Sequence, residues 1–309
     1  MKPLFAEINR DRTLGVEHEF YLPVIGGHHQ MDIQRQVAAV LCANGIRAIA
    51  RNYDHSILPP NVDVAVENDG SINGTVVWQG VYHAPIEVKT RILRYDEWEA
   101  IVPKTLQIIQ FLGGRTNSTC GFHVHLGLPE INERPAIIRS LYNLFHRFEP
   151  VILGSLVSPS RKGNGYCQRM EDQSRLLHTC KTLSDYRRAL RHWQRYYGLN
   201  LMPLWGEDPH LELRYHQGTL DPEKARHWIR FCLQMVEHAV TRSCQAAKDQ
   251  VPDDKSGINK LLTTCGFRQQ HGIYEKVSAE LRETGRYLLL KRFRHFKKLS
   301  AQGGSREDN

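Results

Sequence analysis

Apolar and polar residues alternate along several short segments of the chain. In the first of these, TLGVEHEFYL, strand periodicity places Glu17 and Glu19 on one face. The other face is largely apolar, with Val16, His18 and Phe20. An edge strand whose charged face meets water explains most such carboxylate pairs. Inward carboxylates would need a metal ion or basic side chains opposite them, because burying an unpaired charge is costly.

Three later segments repeat this spacing of two titratable residues among apolar neighbours. They are Glu87 and Lys89 in PIEVKTRIL, His123 and His125 in CGFHVHLGL, and Glu212 and Arg214 in HLELRYHQGTL. Each pair alone has a structural explanation, since His-x-His occurs in satisfied core positions and an exposed Glu–Lys or Glu–Arg pair is worth at most about 1 kcal/mol. Repetition on four predicted strands indicates a shared polar groove lined by these side chains.

Helical periodicity between the strands predicts a mixed α+β protein. Residues 31–46 are expected to form a helix with Asp32 as its N-cap and Gly45 at its end. Further helices are predicted at 96–114 with a break at Pro103, at 134–153, at 183–197, and from Asp221–Pro222 onward. Segments 62–72 and 85–93 are expected to pair as antiparallel strands across a turn-rich stretch that contains an Asn-Gly pair.

Length and composition predict one domain. A chain of 309 residues with 41% hydrophobic content can bury a sizeable core. Since no linker or shift of composition separates its halves, we predict a single catalytic domain over residues 1–300. It would include an amphipathic basic helix in RYLLLKRFRHFKKLS, residues 286–300. Residues 301–309 are polar and are expected to form a flexible tail.

Charge and cysteine content narrow the class of protein. The formal charge of +8 favours anionic partners, although it does not determine the fold. Without a recognisable nucleic-acid module, the basic helix is more typical of a solvated face, and nucleic acid is not an expected partner. The seven cysteines include no C-x-x-C pair, which argues against a disulfide framework and a zinc knuckle. With no apolar run long enough for a signal peptide or a membrane span, we expect a cytoplasmic protein that does not enter a membrane.

The residue types of the four polar pairs suit divalent-cation chemistry on phosphate. Mg²⁺ takes carboxylate oxygens together with phosphate and water, and Mn²⁺ also accepts imidazole. Arg214 could donate to phosphate oxygens with its planar fork. The sequence has neither a G-x-x-x-x-G-K-[ST] loop nor a strand-linked G-x-G-x-x-G loop. A nucleotide would therefore have to be bound without such a loop, and metal ions held by carboxylates are the obvious candidate for contacting its phosphates.

Four blocks of sequence resemble the amidoligases, which are relatives of glutamine synthetase and glutamate-cysteine ligase. These blocks are GVEHEF, DGSI followed by IEVKTRIL, CGFHVHLGL, and LELRYHQGTLDPEKARHWIRF, and they occur in the family's order. The resemblance implies a curved, mainly antiparallel sheet that forms a half-barrel backed by helices. It also implies ATP-dependent amide formation, in which a carboxylate attacks the γ-phosphate and an amine then displaces phosphate from the acyl phosphate.

The resemblance also implies roles for individual residues. Its metal ligands, for two or more Mg²⁺ or Mn²⁺ ions, would be Glu17, Glu19, Glu87, His123 and Glu212. Its catalytic residues would be Arg214, Glu212 and Asp69, and its ATP-binding residues would be His125 and Arg214. Its substrate-binding residues would be Ser71, Thr90 and Arg161. The chain departs from the family where Thr90 and Arg91 replace an expected Ser-Pro, and a solvent loop is an equal alternative for the Arg161 segment.

Two other functions are open at this point. The His-x-His motif of His123 and His125 is also compatible with a metal-dependent hydrolase, which would need further ligands on later strands. A non-enzymatic protein could instead bind nucleic acid or another anion through the basic C-terminal helix, with a degenerate ligase groove. For a ligase, the partners would be a small-molecule or peptide carboxylate and an amine. The sequence reveals neither the identities of these substrates nor the oligomeric state of the protein.

Overall fold

Strands and helices alternate along the chain. The structure is a computed structural model, and it describes residues 5–24, 29–54, 56–68, 72, 74–246, 249–269 and 274–301. The strands are β1 (Phe5–Ala6), β2 (Leu14–Pro23), β3 (Ala48–Ala50), β4 (Val64–Glu67), β5 (Val76–Trp78), β6 (Val81–Thr90), β7 (Gly121–Gly127), β8 (Leu199–Asn200), β9 (His210–Gln217) and β10 (Lys276–Val277). The α-helices are α1 (Gln30–Ala43), α2 (Tyr95–Phe111), α3 (Ala136–Val151), α4 (Ser174–Thr179), α5 (Leu183–Ala189), α6 (Pro222–Thr241), α7 (Lys255–Thr264), α8 (Ala279–Thr284) and α9 (Lys291–Ala301).

The chain divides into two compact units. The sheet unit comprises the described residues within 10–124 and 216–226, and the helical unit comprises those within 1–9, 125–215 and 227–308. The division falls inside β7 and β9, so each of these strands contributes residues to both units. The single domain over residues 1–300 stays a prediction, and the predicted tail from residue 302 onward lies outside the described residues.

The sheet unit is built on β6. Its strand order is β3-β4-β6-β2 followed by the first residues of β7, and β5 also pairs with β6. Both β2 and β4 run antiparallel to β6, which confirms the predicted antiparallel pairing of segments 62–72 and 85–93. The two-residue turn between β5 and β6 is Gln79–Gly80, with φ values of 51° and 79° that suit a hairpin turn. Asn73 of the Asn-Gly pair lies outside the described residues.

The helices of the sheet unit differ from the predicted ones at two points. Helix α1 begins before Asp32, so the predicted N-cap is wrong; His29 is the N-cap, and Asp32 lies in the first turn, where a carboxylate complements the helix dipole. Gly45, with a φ of 80°, follows the helix end as predicted. The predicted break at Pro103 is also wrong, because α2 runs through it. Burial of the apolar face that includes Val102 and Leu106 offsets the hydrogen bond that proline cannot make.

In the helical unit, β8 pairs antiparallel with β9, and β1 pairs parallel with β10. Helix α6 starts in the sheet unit and continues into the helical unit. It starts as predicted, because Asp221 Oδ1 accepts the N–H groups of Glu223 at 2.9 Å and Lys224 at 3.1 Å. The helix predicted over 183–197 is shorter and ends with α5 at Ala189. The fold is thus of the predicted α+β class, with a mainly antiparallel sheet and helices.

The basic C-terminal segment is helical and amphipathic, as predicted. Helices α8 and α9 are joined by a π-helical segment, Gly285–Leu290. Leu289 and Phe296 are buried, and Lys297 Nζ lies 2.6 Å from Asp253 Oδ2. Across the described residues, no helix combines the length and the apolar content that crossing a membrane requires. All seven cysteines are free thiols.

Candidate active site

Three glutamates from neighbouring strands form a row across the sheet unit, which we call the carboxylate row. Glu19 of β2 is the register partner of Glu87 of β6, and Glu87 is in turn the partner of Glu67 of β4. Their residue exposures are 4%, 1% and 0%, respectively. Like charges placed directly opposite one another on a sheet repel, so a buried row of this kind requires cations close to it.

Two basic side chains lie against the carboxylate row. Lys89, the register partner of Glu17, places Nζ 3.1 Å from Glu67 Oε2, 3.7 Å from Glu87 Oε2 and 3.9 Å from Glu17 Oε1. Arg51 donates from Nε to Glu67 Oε1 at 2.5 Å. The edge-strand alternative for Glu17 and Glu19 therefore does not hold, because β2 lies between β6 and β7 and Glu19 is buried.

His123 lies between the two glutamates of β2. Its Nδ1 is 3.2 Å from Glu17 Oε2, and its Nε2 is 3.9 Å from Glu19 Oε1. The main-chain N–H of Gly121 donates to Glu19 Oε2 at 2.6 Å. A Cβ on Gly121 would come within 2.5 Å of His123 Nε2, so only glycine leaves room for this imidazole position.

The pairing of His123 with Glu17, and of its other ring nitrogen with Glu19, offers donor atoms that suit divalent cations. Ligand atoms about 2.0–2.2 Å from an ion lie roughly 3–4 Å from one another, a range that includes each His123 contact. Because the two contacts involve different ring nitrogens, one ion would bind His123 together with Glu17 through Nδ1 or together with Glu19 through Nε2, not through both. Carboxylate oxygens are the ligands that Mg²⁺ takes, and imidazole with carboxylate also suits Mn²⁺. Glu87, directly opposite Glu19, is placed to supply a further oxygen.

The opposite face of β2 is buried and apolar, as the alternation predicts. The ring of His18 stacks on Phe122 with centroids 4.2 Å apart. Burial, and to a smaller extent the nearby His123, lowers the pKa of His18 to about 3. His18 is therefore neutral at physiological pH and behaves as a core residue.

A second polar group lies in the helical unit, on β8 and β9. Glu212 Oε1 pairs with Arg214 Nη1, and Glu212 Oε2 accepts from Asn200 Nδ2 at 2.8 Å. Arg214 also donates from Nε to the main-chain oxygen of Tyr166 at 3.2 Å. Both charged side chains are buried, with side-chain exposures of 6% and 7%. The guanidinium is thus held in a fixed orientation, which an exposed ion pair would not achieve.

Arg161 supports this second group from within the fold. Its residue exposure is 1%, and its Nη2 donates to the main-chain oxygen of Arg214 at 2.8 Å. The solvent-loop alternative for Arg161 therefore does not hold. Its predicted contact with a substrate carboxylate stays a prediction.

The two histidines of the His-x-His motif have different surroundings. His123 lies beside Glu17 in the sheet unit, whereas His125 lies beside His210 in the helical unit, with ring centroids 5.5 Å apart. Burial, followed by the proximity of His125, lowers the pKa of His210, and the nearby Asp208 main chain and Glu212 partly offset this effect. His210 is therefore biased towards the neutral form.

Of the remaining predicted site residues, Thr90 is not placed with the carboxylates. Thr90 lies, by strand alternation, on the other face of β6 from Glu87 and Lys89, and its Oγ1 accepts the N–H of Val16 at 3.0 Å. Asp69 and Ser71 lie outside the described residues. The convergence of Glu212 with Glu17 and Glu87 on one metal site also stays a prediction.

Residues of these groups that are not among those predicted from the sequence include Glu67, Gly121 and Asn200. Glu67 ends the apolar run VDVAVE, and an acidic residue at the end of such a run was the available signal. Gly121 is the first residue of β7, the strand that carries the His-x-His pair, and a glycine within a strand indicates close approach of another group. Asn200 carries no local signal, because its role depends on its register opposite Glu212.

Comparison with known proteins yields a family and two similar solved structures. A structure described as a novel glutamine synthase homolog has 16% sequence identity and a TM-score of 0.47, with 95% of this chain and 68% of that chain covered. The complex of the prokaryotic ubiquitin-like protein Pup with its ligase PafA has 10% identity and a TM-score of 0.38, with 95% and 65% covered. No curated protein matches the chain. The family model described as "Putative amidoligase enzyme" matches residues 10–236, most of the chain, and the protein therefore belongs to the amidoligase family.

Proposed function

We propose that the protein is an ATP- and divalent-metal-dependent carboxylate–amine ligase that forms an amide bond through an acyl-phosphate intermediate. The observation that carries the proposal is the grouping of Glu17, Glu19 and His123 with the buried Glu87, from strands far apart in sequence. Membership of the amidoligase family favours this reaction over the hydrolase and the anion-binding alternatives.

In this proposal, Glu17, Glu19, Glu87 and His123 hold Mg²⁺ or Mn²⁺, with Glu212 as a further ligand. An ion bound there would shield the negative charge of the phosphates. The carboxylate side chains orient the ion because they are themselves fixed, Glu19 by the N–H of Gly121 and Glu87 by Lys89. We propose that the protein binds two or more such ions in total.

Arg214 is proposed to bind the transferring phosphoryl group. A substrate carboxylate oxygen attacks the γ-phosphorus, and the bond to the ADP oxygen breaks. The amine nitrogen then attacks the acyl carbon, phosphate leaves, and the nitrogen loses a proton, for which Asp69 is the proposed acceptor. Arg214 donates to the phosphoryl oxygens during the first step, while Glu212 and the Tyr166 main chain fix the orientation of its guanidinium. His125 is proposed to contact ATP, and Ser71, Thr90 and Arg161 to contact the substrate.

The first test is a screen for product. Purified protein is incubated with ATP, Mg²⁺ and pooled carboxylates and amines, and condensation products are detected by mass spectrometry together with ADP and phosphate. We expect a product that has lost one water, formed in equal amount with ADP. Formation of AMP with pyrophosphate, or hydrolysis of an amide without ATP, would contradict the proposal. The matched controls are Glu87→Gln, which should abolish product, and the exposed Glu133→Gln, which should not.

A further inference from the structure

Lys89 is not a proposed ligand of metal, ATP or substrate, yet its ammonium group lies among three glutamates. Its Nζ is within 4 Å of one oxygen each of Glu17, Glu67 and Glu87. These glutamates come from β2, β4 and β6, so the ammonium links three strands. The Lys89 side chain is only 11% exposed, so it is largely removed from water.

Two other groups fix the position of the ammonium. Nζ donates to the main-chain oxygen of Asp54 at 3.3 Å, and it lies 4.1 Å from the centroid of the Tyr53 ring. An ammonium has three donors and no acceptor, so a surrounding of oxygens and an aromatic face satisfies it fully. The Lys89 ammonium therefore has a fixed position, as a bound structural cation would.

We infer that the Lys89 ammonium occupies the place of a divalent ion at the carboxylate row, so that the sheet unit binds one ion fewer than its carboxylates would otherwise hold. This inference rests on the proposed metal-dependent function. Three carboxylate oxygens converging on one point form the hard donor set that Mg²⁺ and Mn²⁺ take. A divalent ion and an ammonium cannot share that point, because they would repel each other in a largely buried environment.

The inference also gives Lys89 a positioning role. Its contact with Glu87 directs one carboxylate oxygen of that residue, and its contact with Glu17 directs the oxygen opposite the one beside His123. Because Lys89 contacts Glu17 Oε1, Glu17 Oε2 stays beside His123, where it can bind a divalent ion. Replacing the lysine by a neutral side chain of similar length should free the ammonium's place for a metal ion.

The test counts Mn²⁺ ions bound per chain by equilibrium dialysis, with free Mn²⁺ measured by electron paramagnetic resonance, and needs no substrate. Lys89→Met should bind one more ion than the wild type. Lys89→Arg, which keeps the charge, and Lys104→Met, on the exposed side of α2, should bind the wild-type number. An unchanged count in Lys89→Met, or an extra ion in either control, would overturn the inference.

The wild-type count separates this inference from the proposed function. A wild type that binds no Mn²⁺ contradicts the metal-dependent ligase, whereas the inference about Lys89 depends only on the difference between variant and wild type. If Lys89→Met is unfolded without metal, recovery of the wild-type thermal transition on addition of Mn²⁺ supports the inference. Failure to recover with Mn²⁺ overturns it.

Discussion

The main-chain N–H of Gly121 donates to Oε2 of Glu19 at 2.6 Å, across two neighbouring strands of the sheet unit. The same glycine leaves the space that His123 Nε2 occupies, since a Cβ there would come within 2.5 Å of it. One residue thus fixes a carboxylate and an imidazole of the proposed metal site without contributing a side chain.

Gly121→Ala should therefore weaken metal binding. The added methyl group must displace His123, and loss of a residue that positions metal ligands typically lowers metal affinity about 10- to 100-fold. Mn²⁺ titration of the purified variant measures the change. Gly206→Ala is the control, because a Cβ there meets its nearest atom, the Pro203 main-chain oxygen, at an ordinary 3.6 Å. Wild-type affinity in Gly121→Ala would remove His123 from the proposed ligands.

Arg214→Lys should lower turnover while sparing the fold. Lysine keeps the positive charge but loses the planar fork that Glu212 and the Tyr166 main chain orient. Loss of one such electrostatic donor typically costs on the order of 100-fold in rate, roughly 3 kcal/mol. ADP release, measured once a substrate pair is known, gives the rate, and the thermal midpoint reports folding. Arg188→Lys, in an exposed pair with Asp185, is the control. A wild-type rate in Arg214→Lys would show that the arginine has only a structural role.

Glu149 should make stability depend on pH. Burial raises its pKa from 4.5 to about 7, and the Met170 N–H and Tyr215 hydroxyl offset this only in part. The folded state therefore binds more protons than the unfolded state between these values, so stability falls as pH rises through this window. The expected loss is about 3 kcal/mol relative to Glu149→Gln, which cannot titrate. Urea unfolding of both proteins at pH 4.5 and pH 8 measures it, and equal pH dependence would contradict the prediction.

Asp221→Ala should destabilise the protein through helix α6. The Asp221 carboxylate accepts two N–H groups of the first turn, and loss of such a cap typically costs about 1 kcal/mol. Asp221→Asn keeps an accepting oxygen and should lose less. The free energy of unfolding, measured in urea, distinguishes the three proteins, and a wild-type value for Asp221→Ala would show that the cap contributes nothing.

Local patterns predicted the elements that position the candidate site. Strand alternation identified the faces of β2 and β6, and the Asp-Pro pair located the start of α6. These features depend on residues near one another in sequence, where periodicity and capping are informative. The same reasoning failed at Pro103, because the buried contacts of α2 that offset the proline are made with residues distant in sequence.

Most contacts between strands could not be predicted from local sequence patterns. Glu67 joins the carboxylate row only because β4 pairs with β6 in a register that places it opposite Glu87. A shift of one residue would turn it to the other face. Arg161 lies on a short segment that resembles a surface loop, and its burial against β9 depends on tertiary packing. Register and long-range packing therefore set the limit of what the sequence could predict about the site.

The central claim is that the carboxylate substrate is activated as an acyl phosphate, and isotope transfer tests it most directly. A substrate labelled with ¹⁸O in its carboxylate is converted to amide with ATP and Mg²⁺, and the released phosphate is analysed by mass spectrometry. An acyl phosphate transfers one labelled oxygen to each phosphate formed, because the carbon–oxygen bond to the carboxylate breaks when the amine attacks. Phosphate without label, formed in equal amount with the amide, would contradict the proposed ligase reaction.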